Sequence, residues 1–143
     1  MNPDHDDVRL RKVTPSEVDR LHRLAERVRQ DLSASGLTVH ATAAHEPLPH
    51  EGGGWIELDD MDDAGGGVWL HWRLHPRVRD AIRTAIQRAQ TDDPFLQVAS
   101  HTYQHTVTAV LTTLTALGYQ AERSRDDHRP HAVRVLAHPD LHI

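Results

Sequence analysis

Val68-Trp69-Leu70-His71-Trp72-Arg73-Leu74 alternates: Val68, Leu70, Trp72 and Leu74 fall on one side of an extended chain, Trp69, His71 and Arg73 on the other. A period of two is the mark of a strand with one face on a core. Upstream, Trp55-Ile56-Glu57-Leu58-Asp59 repeats the pattern, with Ile56 and Leu58 on the apolar side. Asp60 to Gly67, an acidic turn ending in three glycines, separates the two runs, so together they predict a β-hairpin. If the aliphatic side packs inward, Trp55, Glu57, Trp69, His71, Arg73 and His75 share the outward side.

Helices flank this hairpin. Thr14-Pro15-Ser16-Glu17 is a helix start, with a capping threonine, proline at the first helical position and glutamate to complete a capping box. Val18, Leu21, Ala25, Val28 and Leu32 follow at helical spacing and Gly36 ends the pattern, which predicts a helix over 15–34. Pro76 opens a second helix whose expected inward stripe is Val78, Ala81, Ile82, Ala85, Ile86 and Ala89, with Arg77, Arg79, Arg83 and Arg88 outside. Asp92-Asp93-Pro94 caps a third, with Leu96, Ala99, Tyr103, Val107, Val110, Leu111, Leu114 and Leu117 on one stripe. Its many threonines lower helix propensity, but the 3.6-residue period decides for helix.

Three short strands complete the set: Leu37 to Ala44, Tyr119 to Arg125, and Ala132 to Ala137, the last two joined by the turn Asp126–His131. His45 to Gly54, with Pro47, Pro49 and three glycines, reads as a loop. The order α-β-β-β-α-α-β-β predicts an α+β fold in two layers, an antiparallel sheet with helices on one face. Residues 14–143 form one such domain and 1–13 a flexible N-terminal segment.

Composition narrows the function classes. The chain has 143 residues, 38% of them hydrophobic, and no cysteine, which removes disulfide scaffolds, thiolate metal sites and cysteine nucleophiles. A net charge of −5 argues against nucleic acid as a partner. Met1 to Asp7 holds three aspartates and no apolar run, so no secretory leader is expected. The uncharged stretch Pro94 to Ala121 contains Gln97, His101, Gln104 and His105 and is too polar to span a membrane. The expectation is a cytoplasmic protein. Lys12 is the only lysine among 16 cations, the arginine bias of a GC-rich coding sequence. Residues 37–67 hold seven acids and no Lys or Arg, whereas 68–90 hold five Arg against Asp80. Neighbouring blocks of opposite sign suit either internal pairing or a bipolar surface that orients a charged partner.

No phosphate-binding loop, dinucleotide fingerprint, serine-nucleophile elbow or zinc-protease motif is present. The outward hairpin face carries the expected function. Trp55 and Trp69 would supply apolar area, Arg73 and Glu57 orientation, and His71 and His75 titratable imidazoles, the furniture of a site for a protein or small-molecule partner. The blander alternative is that the two indoles merely cover the sheet. Glu57 beside His71 would fix the imidazole tautomer, and this pair is the candidate for acid–base catalysis if the protein is an enzyme. A non-enzymatic binding module, without cofactor, is the leading expectation.

His101 and His105 lie one helical turn apart, a spacing that can chelate a transition metal, although no glutamate follows His101 to serve as a base and no dedicated metal site is expected. With Thr108 and Thr112 they make the side opposite the apolar stripe free of charge, so that side is expected to be covered, by other elements or by a second copy in a homodimer. The Asp59–Asp63 run lacks calcium-loop spacing. Arg20, Arg23 and Arg27 are interrupted by acids and make a poor phosphate site.

Overall fold

A computed structural model of the chain describes residues 12–41, 51–63 and 65–140. Of the expected flexible N-terminal segment only Lys12 and Val13 are described. They lie beside the hairpin: Lys12 forms an isolated β-bridge with Met61, and the Val13 amide donates to the Asp60 carbonyl at 2.9 Å.

The elements run α1 (Pro15–Ala34), β1 (Val39–His40), β2 (Gly53–Asp59), β3 (Gly67–Arg73), α2 (Pro76–Gln87), α3 (Pro94–Ala116), β4 (Gln120–Arg123) and β5 (Val133–Ala137). The α+β class and the order match the expectation. Thr14 caps α1, its Oγ1 accepting from the Glu17 amide at 3.2 Å. The Glu17 carboxylate turns to Arg20 instead, accepting from Nη2 at 2.7 Å. Asp93 caps α3 in the same way through the Phe95 amide at 2.9 Å. Despite its threonines, α3 is helical for 23 residues.

The five strands lie in the order β1-β2-β3-β5-β4. All neighbours are antiparallel except β1 and β2, which pair in parallel through Val39 opposite Gly54 and His40 opposite Trp55. The expected purely antiparallel sheet is therefore mixed. Alternation marks a strand but not the direction in which it pairs, and most of the loop expected at 45–54 lies outside the described residues. Several strands are shorter than their sequence patterns, because pairing stops where partners end.

The core lies between the sheet and the helices. Leu21, Leu24, Ala25, Val28 and Leu32 of α1 and Val107, Val110 and Leu114 of α3 meet Val39, Val68, Leu70, Val133 and Val135 of the sheet. Ile56, Leu58 and Trp72 pack against this cluster, so the aliphatic side of the hairpin does face inward. Two helical stripes are less buried than their patterns imply. In α2 only Ala85 is buried and Ile86 is 69% exposed. In α3, Phe95 and Val98 are exposed, as is Leu117 at its C-cap. The physical reason is position: α2 packs on α3, and only the C-terminal half of α3 has buried side chains. His101, His105, Thr108 and Thr112 are also exposed, so no described element covers the uncharged side of α3. No helix among the described residues is long and apolar enough to cross a membrane.

Burial separates the consequences of truncation. Leu114→Ala, at a fully sealed position, should lower the unfolding free energy by about 2–5 kcal/mol. Ile86→Ala should change it by less than about 0.5 kcal/mol. Urea denaturation of the two variants measures both.

Candidate functional site

In the β2–β3 hairpin Trp55 stands opposite His71 and Glu57 opposite Trp69. Side chains of one strand face alternate, so all four rise from the sheet on the side away from the core. Directly paired, Trp55 and His71 stack with ring centroids 4.2 Å apart and planes within 11°. Diagonally paired, His71 and Glu57 hydrogen-bond, Nε2 to Oε1, at 2.8 Å. A carboxylate only accepts, so Nε2 carries the proton of this bond and Nδ1 is the ring's remaining position for exchange or acceptance.

The fixed point of the face is Arg129, in the loop between β4 and β5. Its Nε and Nη2 donate to the two Glu57 oxygens at 2.9 and 3.1 Å, Nη2 also to Asp59 at 2.8 Å, and Nη1 to Asp126 at 3.0 Å and to the Gly65 carbonyl at 3.0 Å. The guanidinium lies 4.4 Å from the Trp69 ring centroid, and Arg134 adds a second cation at 5.3 Å. The indole Nε1 donates to the Gly65 carbonyl at 2.8 Å, and Arg134 Nη2 to the Gly66 carbonyl at 2.6 Å. The glycine run after the acidic turn thus supplies backbone acceptors at close quarters. At Gly66 a Cβ would sit 2.2 Å from the Met61 carbonyl oxygen, so no side chain fits there.

Electrostatics follow from this packing. Burial pushes the Glu57 carboxyl up, but the bonds and charge of Arg129 and His71 outweigh it and hold the group below the usual glutamate range. Asp126 is likewise lowered, first by the His128 amide and then by Arg129.

Around this cluster lies an open groove of about 560 Å³ lined by Trp55, Glu57, His71, Asp126, His128 and Arg129. The structure brings three of the expected residues, Trp55, Glu57 and His71, into one site. Trp69 is on the expected side but only 3% exposed, sealed beneath Arg129 and Arg134. The expectation that it offers contact area is corrected: its indole lies under the two guanidinium groups and does not line the groove. Arg73 is half-buried and His75 exposed, and neither lines the groove. His75 instead caps α2, its Nδ1 accepting from the Arg77 amide at 3.1 Å. Asp126, His128 and Arg129 lie in a turn whose sequence carries no mark of this site. The one available signal was the acid excess around Glu57 and Asp59, which calls for a cation without saying which.

No group of three or more metal-ligating side chains converges among the described residues. His101 and His105 remain a pair, with rings 5.8 Å apart and planes within 12°.

Two measurements probe the cluster. Arg129→Met leaves Glu57 and Asp59 facing each other without their cation, and should cost about 2 kcal/mol, less than a fully buried pair because both carboxylates keep some solvent. Because the Glu57 carboxyl is lower in the folded chain than in the unfolded one, its contribution is present above the ordinary glutamate range and is lost as pH falls through the folded value. Glu57→Gln should therefore flatten the acid limb of stability, read as the urea midpoint from about pH 6 to about pH 3.

Comparison with protein-family models, with curated proteins and with solved structures finds no match to this chain.

Proposed function

We propose that the chain is a small binding module that takes a small molecule or a short peptide segment in the groove between Trp55 and the 126–129 loop. The observation that carries this reading is the groove itself, about 560 Å³ and backed by the stacked Trp55–His71 pair. Its volume is that of a small-ligand site, and an aromatic wall beside a few fixed polar groups is how such sites obtain both affinity and orientation. The polar groups are held in advance: Glu57 is clamped by Arg129 and His71, so little side-chain freedom is lost when a ligand enters. Trp55 contributes apolar contact, and His71 Nδ1 and the His128 ring contribute hydrogen bonding.

A second reading is favoured by the 2.8 Å bond between His71 and Glu57. A carboxylate that orients an imidazole inside a concave site is the arrangement of a general base, with His71 exchanging a proton at Nδ1 and Glu57 positioning it.

The two readings separate by substitution. Ligand-observed NMR against a library of small polar and aromatic compounds supplies probes that bind the native chain. Trp55→Ala should weaken binding of those probes by about tenfold or more. Loss of no affinity in Trp55→Ala would sink the groove as the site. If His71→Ala abolishes turnover of a bound compound while its affinity stays intact, the acid–base reading replaces the binding module.

A further inference from the structure

Away from the groove, α3 carries two exposed imidazoles one turn apart. We infer that His101 and His105 form a two-imidazole clamp for a borderline divalent cation, Cu2+ first and Ni2+ or Zn2+ after it. Residues four apart on a helix stand about 5–6 Å from each other at Cβ. The ring centroids keep that spacing, 5.8 Å, and the planes are within 12° of parallel, so the two rings stand face to face on one side of the helix. The donor lone pairs lie in the ring planes, so both rings must turn about their side-chain torsions for one nitrogen of each to come within about 2.0–2.1 Å of a shared ion.

The surroundings favour a cation. From Pro94 to Ala116 the helix has no Lys, Arg, Asp or Glu, so no like charge on α3 opposes the ion and no carboxylate draws it elsewhere. Arg123 reaches this side of the helix, but its Nη2 is bound to Thr108 Oγ1 at 2.9 Å, nearly a turn beyond His105.

The donor set also selects the ion. Among the described residues no third metal-ligating side chain converges on the two imidazoles, which leaves the remaining positions to water. Cu2+ tolerates this best, since it takes tetragonal geometry with two nitrogen donors and heads the affinity order for such ligands. Thr102, Tyr103 and Gln104 stand between the two histidines, so no glutamate lies between the ligands as in the zinc-protease motif. Chelation requires the helix to be formed. The ion therefore binds the folded chain in preference to the unfolded one and adds stability to a threonine-rich helix.

The test uses the full chain without an affinity tag. Cu2+ is titrated by calorimetry, and the melting temperature is followed with Cu2+ and again after EDTA. Thirteen histidines give background binding, so the tightest event is the one read. His101→Ala and His105→Ala should each weaken it by about tenfold or more and remove the Cu2+-induced rise in melting temperature. His22→Ala, at an exposed position of α1, should leave both unchanged. Circular dichroism checks that the helix persists in each variant, as exposure of both side chains leads one to expect. A tightest Cu2+ site that survives in the His101→Ala/His105→Ala double variant would overturn the assignment.

Discussion

One guanidinium organises the outer face of this protein. Arg129 meets carboxylates from two positions of β2 and one of its own loop, lies over an indole from β3, and donates to a glycine carbonyl of the hairpin turn. A sheet face that carries two tryptophans would otherwise expose apolar area, and three carboxylates so close would otherwise repel. This cation addresses both problems, because its planar fork satisfies several acceptors while its flat side covers the ring, with Arg134 as a second cation at the same indole. The loop between β4 and β5 is thereby tied to β2, two strands away in the sheet.

The groove is a consequence of that tie. Trp55 and His71 rise from the hairpin, and Asp126, His128 and Arg129 face them from the loop. Neither side makes a concavity alone. Local order in the site therefore depends on the loop staying docked, and the docking in turn depends on ionised carboxylates. Site geometry and acid stability rest on the same bonds. The clamp on α3 is independent of this: its geometry comes from helical spacing alone, and it sits on the helix that packs against the other face of the sheet.

Local signals in the chain carried most of the fold. Period-two alternation at 55–59 and 68–74 placed Trp55, Glu57 and His71 on one side, and capping at Thr14 and Asp93 placed two helix starts. Periodicity fails where the partner of a face is not local. Ile86 follows a helical stripe yet stays exposed, since pattern records what a helix offers and not what comes to meet it. Val39 and His40 join the sheet in parallel, a direction that alternation along a strand does not encode. For Trp69 the alternation gives the side of the sheet but not the exposure, because the arginines that seal it lie 60 and 65 positions further along the chain. Their side chains carry no periodic mark. The acid excess of residues 37–67 pointed to a missing cation, and the adjacent arginine block offered five wrong answers for Glu57 before the right one.

The most direct test of this account is a double-mutant cycle on Arg129 and Glu57, with Arg129→Met, Glu57→Gln and the pair compared by urea unfolding near neutral pH. An Arg129–Glu57 bond that organises the face predicts a coupling of about 1 kcal/mol or more, above what exposed ion pairs give. Additive effects, with a coupling near zero, would mean that the loop is held by something else and that the groove has no fixed wall.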